Sequence, residues 1–363
     1  MFSLAPSPAQ VVRVVETVRH HVGRLHQRMV PPQAAMMEMI TNAWAAQAIT
    51  AAADLGIADA LANGPLSADE LAAAVDAEAD TVGRLLRALI GRGVFRQLRD
   101  GRYELTPLAD TLRSESDVSL RAFARFVGAP QEREHWSHFT NAIRTGRAVV
   151  PELRGMPAFE YMAGEKGLDE IFNDAMTDAS GLAIGPVIAG YDFSRYATIV
   201  DVAGGHGRLL AAILTATPLA RGILFDQPHV VAGAPALLKQ NDVADRVQLA
   251  EGSFFDAVVD GGDAYVLKHI IHDWPDEDAV QILRNVRTAA GSGKHVLLVE
   301  FVLPEHTDRD FMGHWLDLEM LVGAGARERT AAQYDRLLSC AGFRMTRVVE
   351  TASPISVVEA IAI

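Results

Sequence analysis

Cysteine is almost missing from this chain. Cys340 is the only one in 363 residues, so no intrachain disulfide can form and no all-cysteine metal site can be built. Lysine is scarce too, with only Lys166, Lys239, Lys268 and Lys294, and the formal charge is −13. A nucleic-acid-binding chain needs a basic footprint to displace counterions, so that class is disfavoured. No apolar run approaches the roughly 18 residues that cross a bilayer. Met1–Gln10 lacks a basic stretch followed by an apolar one, so no secretory signal is expected and the cytoplasm is the expected compartment. No repeat or low-complexity segment stands out. What is present is 49% hydrophobic against 22% charged residues, enough to build sizeable cores, over a length that suits two domains.

The first half reads as helical. Val11, Val15, Val18, Val22, Leu25 and Met29 follow a 4-3-4-3-4 spacing along one helical seam, which calls for a partner helix, either in the same subunit or in a second copy. Pro31 and Pro32 end that helix, and another is expected from about Gln33 to Asp54. Ser67 can cap a short helix, and Val82, Leu85, Leu86, Leu89 and Ile90 mark a second. Asp100-Gly101 between Val94–Gln97 and Arg102–Leu105 is a two-residue hairpin signal. Helix, turn, helix and hairpin make a winged helix. Residues 67–113 hold seven arginines against eight acids, so a structural or dimerising role is favoured over DNA binding.

From about Gly181 the pattern changes. Short apolar runs at Thr198–Val202, Gly222–Phe225, Val247–Ala250, Ala264–Leu267 and His295–Val302 alternate with helical segments, which argues for a parallel sheet covered on both faces. Arg344–Val349 and Ile355–Ile363 lie so close together that they can pair only as an antiparallel hairpin. The expected organisation is a helical winged-helix domain over 1–180 and an α/β Rossmann-like domain with an antiparallel edge hairpin over 181–363.

In such a sheet, ligands gather at the carboxyl ends of the strands. The first strand runs into Asp201-Val-Ala-Gly-Gly-His-Gly207, whose glycines allow close backbone approach to a ligand. The spacing differs from the Gly-x-Gly-x-x-Gly of dinucleotide sites, and no basic group stands ready for a pyrophosphate. An adenosyl ligand without phosphates fits better. Asp226, at the end of the second strand, suits a ribose; the competing role is a helix cap before Pro228. The densest signal is Leu267-Lys-His-Ile-Ile-His-Asp-Trp-Pro-Asp-Glu277. The three-residue spacing of His269 and His272 suits a metal pair, but no third ligand is evident from the spacing, and no metal is expected.

Asp201–Gly207, Phe225–Val230, Gly252–Phe255, Lys268–Glu277 and Ala326-Arg327-Glu328-Arg329-Thr330 occur in the order seen in the S-adenosylmethionine-dependent small-molecule O-methyltransferases, both the plant caffeate/isoflavone type and bacterial secondary-metabolite members. The chain resembles that family along nearly its whole length. The resemblance implies a class I methyltransferase fold, S-adenosyl-L-methionine as cofactor, a small aromatic or polyketide-like acceptor, and a homodimer formed through the N-terminal domain. It makes His272 the general base and Glu300 and Glu328 the flanking acids. It makes Gly204, Asp226, Ser253, Phe254 and Lys268 cofactor contacts, with Ser253 and Phe254 standing where plant members have Asp-Met. Ala203 replaces the first of three glycines. Phe172, Met176 and Met320 match positions that line the acceptor pocket; on periodicity alone they would be core.

A histidine with the ordinary pKa of about 6.5 would take a phenolic proton at neutral pH as the methyl transfers. Two other functions compete: a hydroxylase or decarboxylase built on the same scaffold, and a ligand-sensing regulator that uses the winged helix.

Overall fold

The computed structural model describes residues 7–116, 118–306 and 311–363. The helix Pro8–Arg28 ends just before Pro31, and Pro32 opens the next helix, Pro32–Asp54. Among the described residues nothing covers the seam of the first helix: Val18 and Val22 are 56% and 60% exposed. Ser67 and Glu70 form a reciprocal capping box on Ala68–Ala74, which satisfies two otherwise orphaned backbone donors. The helix Ala79–Ile90 buries Val82, Leu86 and Leu89. Strands β1 (Phe95–Gln97) and β2 (Tyr103–Leu105) then pair antiparallel across the Asp100-Gly101 turn, with Gly101 at φ 92°. This is the anticipated winged helix, centred on Ile57, Leu61, Leu71, Leu86, Leu89 and Phe95.

The second half forms a mixed sheet of β3 (Thr198–Val202), β4 (Arg221–Asp226), β5 (Val247–Glu251), β6 (Ala264–Lys268), β7 (His295–Leu303), β8 (Arg329–Thr330), β9 (Phe343–Glu350) and β10 (Ile355–Ala362). Its order is β5-β4-β3-β6-β7-β10-β9, with the short β8 pairing to the end of β7. β3 to β7 are parallel and the β9–β10 hairpin is antiparallel. The chain therefore has the class I methyltransferase architecture. One face of the sheet packs Ile199, Leu224, Val266, Leu297 and Val299; the other packs Val200, Phe225, Leu267, Val296 and Leu298. Alternation along each strand sends successive side chains to opposite faces.

The chain divides into two compact units. One contains Ala183–Ile363 with Asn141–Val149 and the beginning of the first helix; the other contains His21–Thr140 and Val150–Leu182. The expected division at 180/181 lies close to one of these boundaries but treats each half as continuous. The long helix Leu168–Gly190 belongs to both units. Its first half supplies Leu168 and Ala175 to a cluster with Phe126 and Tyr161, while its second half supplies Ala183 and Val187 to the sheet core. Arg13 pairs with Glu350 on β9, and Ala148 lies beside Gly325, which places two early segments with the later unit.

Candidate active site

Because β3, β4, β6 and β7 are parallel, their carboxyl ends form a single edge, and the chemistry-bearing residues collect there. At the end of β3, Ala203 donates its backbone N–H to the Phe225 carbonyl at 2.7 Å, and the chain turns through Ala203, Gly205 and Gly207 at positive φ. Gly204 has no room for a side chain: a Cβ there would lie 2.6 Å from the Asp201 carboxylate and from Leu224. Asp201 is fully buried, and its Oδ2 has no hydrogen-bond partner. Burial raises its pKa to about 7 against the pull of Lys268, whose own pKa burial lowers to about 8.

Asp226 accepts the backbone N–H of Gly205 at 2.8 Å and of Gln227 at 2.7 Å. The next helix is capped at Gln227, without a side-chain cap bond, so the helix-cap role weighed for Asp226 is not what its carboxylate does. Gly252 donates to the Asp226 carbonyl at 3.0 Å, bringing the Ser253-Phe254 segment alongside. Ser253 Oγ accepts the N–H of Phe255, and Phe254 packs its ring on Phe255 and, edge-on, Trp274. Asn285 secures this turn by donating to the carbonyls of Phe254 and Phe255 at 2.8 and 2.9 Å.

His272 lies in the 3-10 turn Ile271–Asp273 just beyond β6 and is 8% exposed. Its Nδ1 is 2.7 Å from Glu328 Oε1 and 3.9 Å from Glu300 Oε2; its Nε2 is 3.3 Å from Asp273 Oδ1. Glu300 projects from β7, and its Oε1 accepts the N–H groups of Ile270 and Ile271 at 3.1 and 2.9 Å. One oxygen of each acid, Glu300 Oε2 and Glu328 Oε2, is buried without a partner. Burial alone would lower the His272 pKa, but Asp273, Glu300 and Glu328 outweigh it and raise it to about 10. The imidazole is therefore charged at neutral pH in the free protein, in contrast to the ordinary value of about 6.5 assumed from the sequence.

Three features were not legible from spacing. His269, at φ 54°, lies against His272 with ring centroids 5.2 Å apart, its Nδ1 3.8 Å from Glu300 Oε2. The third potential ligand that sequence spacing does not supply is thus Glu300, with candidate ligand atoms of His269, His272 and Glu300 all within 4.8 Å. Asp317 accepts the Glu328 N–H at 2.9 Å. Arg329, 1% exposed, donates to the backbone on both sides of His272. Its place beside Glu328 was the only available signal.

The acceptor-pocket candidates fall in different compact units. Phe172 packs edge-on against Phe126 at 5.3 Å, and Met176 is half-exposed, both in the second unit. Met320 belongs to the first, on the helix Met312–Gly323.

Residues 136–344 match a family model described as the O-methyltransferase domain, and residues 37–115 match the O-methyltransferase dimerisation domain. The chain belongs to the O-methyltransferase family. This O-methyltransferase is 41% identical over 331 residues to a phenazine O-methyltransferase of Lysobacter antibioticus, covering 91% of this chain and 96% of that one. The crystal structure of LaPhzM superposes with a TM-score of 0.86 at 41% identity, covering 92% and 100% of the two chains. An O-methyltransferase from neocarzinostatin biosynthesis, solved with S-adenosylmethionine and 2-hydroxy-5-methyl naphthoic acid, superposes with a TM-score of 0.74 at 33% identity over 88% and 96%. The protein is an S-adenosylmethionine-dependent O-methyltransferase related to enzymes of secondary metabolism, and its winged helix lies within the dimerisation match. Its own geometry agrees with that cofactor: a close-approach glycine, a buried Asp201 carboxylate with one oxygen free of hydrogen bonds and the Asp226 carboxylate meet at one edge. Among the described residues no helix is long and apolar enough to cross a membrane.

Proposed function

We propose that this enzyme methylates a hydroxyl of a small aromatic or polyketide-like acceptor, with His272 as general base. The observation that carries the reading is the 2.7 Å contact between His272 Nδ1 and Glu328 at the carboxyl edge of the sheet. A carboxylate on Nδ1 fixes the ring and makes Nε2, which stands 3.3 Å from Asp273 Oδ1, the atom that takes the acceptor's proton. Gly204, Asp226, Ser253, Phe254 and Lys268 would hold the cofactor, and Phe172, Met176 and Met320 would line the acceptor pocket. When bound, the cofactor would supply an electrophilic methyl on a sulfonium, and a positive charge brought near His272 would favour its neutral imidazole. Glu328 stabilises the imidazolium once the acceptor proton arrives, while Glu300, pinned by the two N–H groups of Ile270 and Ile271, keeps the turn in place.

In this reading, residues 1–180 supply dimerisation and part of the acceptor lining, and 181–363 bind the cofactor. The enzyme works in the cytoplasm as a homodimer, with no nucleic-acid or membrane partner. Support for the dimer comes from the exposed seam of Pro8–Arg28 and from Met36, Met37, Ile40 and Trp44 on the next helix, an apolar surface suited to a second copy.

The test is turnover of isotopically labelled cofactor with a panel of phenols, followed by mass spectrometry. Methylated phenol and S-adenosylhomocysteine should form together, and His272→Ala should abolish most of both while still binding cofactor. Equal kcat for His272→Ala and wild type across pH 6–9 would remove His272 from the mechanism.

A further inference from the structure

We propose that Arg329 is a positioning residue for catalysis, holding His272 and Glu328 in their working geometry; the proposal rests on His272 being the base. All five N–H groups of the guanidinium are used. Nε donates to Asp276 Oδ1 at 3.1 Å, Nη1 to the carbonyls of Ile271 at 2.8 Å and Arg327 at 3.3 Å, and Nη2 to the Trp274 carbonyl and Asp276 Oδ1, both at 2.8 Å. The Ile271 and Trp274 carbonyls bracket His272 and Asp273, and the Arg327 carbonyl immediately precedes Glu328. One rigid planar group therefore spans both segments that carry the acid–base pair. The Arg327 N–H closes the circuit by donating to the His272 carbonyl at 3.1 Å.

A packing role alone would not require a guanidinium. Burying a charge is costly, and an apolar side chain of similar volume commonly serves the core as well or better. What a buried arginine adds is directional bonding from a fork that is always charged. A lysine offers three donors from one point and cannot reach the 271, 274 and 327 carbonyls together. Losing the fork would leave the buried Ile271 carbonyl and the part-buried Trp274 and Arg327 carbonyls without this donor and free the Ile271–Asp273 turn to relax away from Glu328.

The experiment measures kcat, KM for cofactor and acceptor, and the pH profile of Arg329→Lys, with turnover expressed per cofactor-binding site so that unfolded protein is not counted. Displacing the base by about 1 Å is expected to lower kcat on the order of 100-fold, with KM for the cofactor unchanged. The charged and titratable groups around His272 are Lys268, Asp273 and His269, whose pKa burial lowers well below the usual value, from its own segment, Glu300 from β7, and Glu328 with Arg329 at β8. A weakened Glu328 contact lets the imidazole lose its proton more easily, so the rising acid limb of kcat should move to lower pH. Guanidinium ion should restore part of the turnover of Arg329→Gly and none to His272→Ala.

Wild-type kcat and pH profile per binding site in Arg329→Lys would overturn the proposal, whatever happens to the melting temperature. If neither Arg329 variant binds cofactor, Asp276→Ala provides the reading, since its carboxylate is largely exposed. A smaller fall in kcat with the same displacement of the limb is expected there, and an unchanged profile overturns the proposal. Full activity of His272→Ala would instead sink the general-base reading, whereas an inactive His272→Ala with a normal Arg329→Lys would remove Arg329 alone.

Discussion

Two buried glutamates on adjacent strands of one sheet meet opposite fates. Glu359 on β10 accepts Arg347 Nε and the Tyr191 hydroxyl, each at 2.9 Å, and pairs with Arg195. Burial would raise its pKa, but these partners outweigh it and the pKa is lowered. Glu300 on β7, three positions along the β7–β10 register from Leu297, the partner of Glu359, receives backbone N–H groups on one oxygen and no hydrogen bond on the other, which faces the His269 and His272 rings at 3.8 and 3.9 Å. Burial raises its pKa to about 7, against the pull of His272. One cluster is saturated with cationic and hydroxyl donors; the other keeps unused acceptors around the His269 and His272 imidazoles. Saturation favours stability, and incompleteness leaves capacity for a proton or a ligand.

The sharpest way to break this contrast is to delete one member from each cluster. His272→Ala should cost roughly 10³-fold in kcat with little change in melting temperature. Glu359→Ala should do the reverse, destabilising by about 3 kcal/mol because it leaves buried donors and charge without their acceptor, while folded molecules turn over normally. Calorimetry alongside turnover per cofactor-binding site measures both, and a large kcat loss in Glu359→Ala would erase the distinction.

Next in size is the response to pH. Since Glu300 holds its proton more tightly when folded, its contribution to stability is complete below about pH 4.5 and lost as pH rises through about 7. Glu359 has the opposite sign: its contribution is present above about 4.5 and lost as pH falls through its lower folded value. Glu300→Gln should therefore gain up to about 3 kcal/mol at pH 8 and almost nothing at pH 4, seen in denaturant melts. A stability loss at pH 8 would mean that the carboxylate is satisfied in solution. In the same family of measurements, kcat/KM should still be climbing above pH 8, because the raised His272 pKa belongs to the free enzyme. The rise in kcat should be complete at lower pH; an acid limb of kcat/KM below pH 7 would contradict the three-carboxylate environment.

The smallest effect concerns neither cluster. Val18→Glu with Val22→Glu alters exposed positions only, so the isolated chain should lose less than about 0.5 kcal/mol, whereas light scattering should show the dimer dissociating. A dimer that persists would move the contact elsewhere.

Local rules carried much of the fold. Short apolar runs located the strands from Thr198 to Ile363 within a residue or two, except the two-residue β8 at Arg329–Thr330, which is too short to leave a pattern, and Ser67 and Asp100-Gly101 marked their cap and turn because those signals act over two to four positions. The site was only partly readable. His272, Glu300 and Glu328 could be named from resemblance, but their mutual distances depend on strand order, and the guanidinium of Arg329 reaches back 58 positions to Ile271. Nothing in the spacing of His269 and His272 reveals that a β7 carboxylate stands between them. The unit boundary was similarly hidden, since one helix serves two cores.

Ala203 carries one last implication. Its φ of 55° is a setting that side-chain-bearing residues seldom adopt, and it stands where the glycine run of the family usually begins. A methyl group disfavours this setting relative to glycine, so the turn keeps it only because its surroundings, among them the bond from the Ala203 N–H to the Phe225 carbonyl at 2.7 Å, over-determine the backbone. The strain is met once, when the chain folds, and a glycine at this position would relieve it.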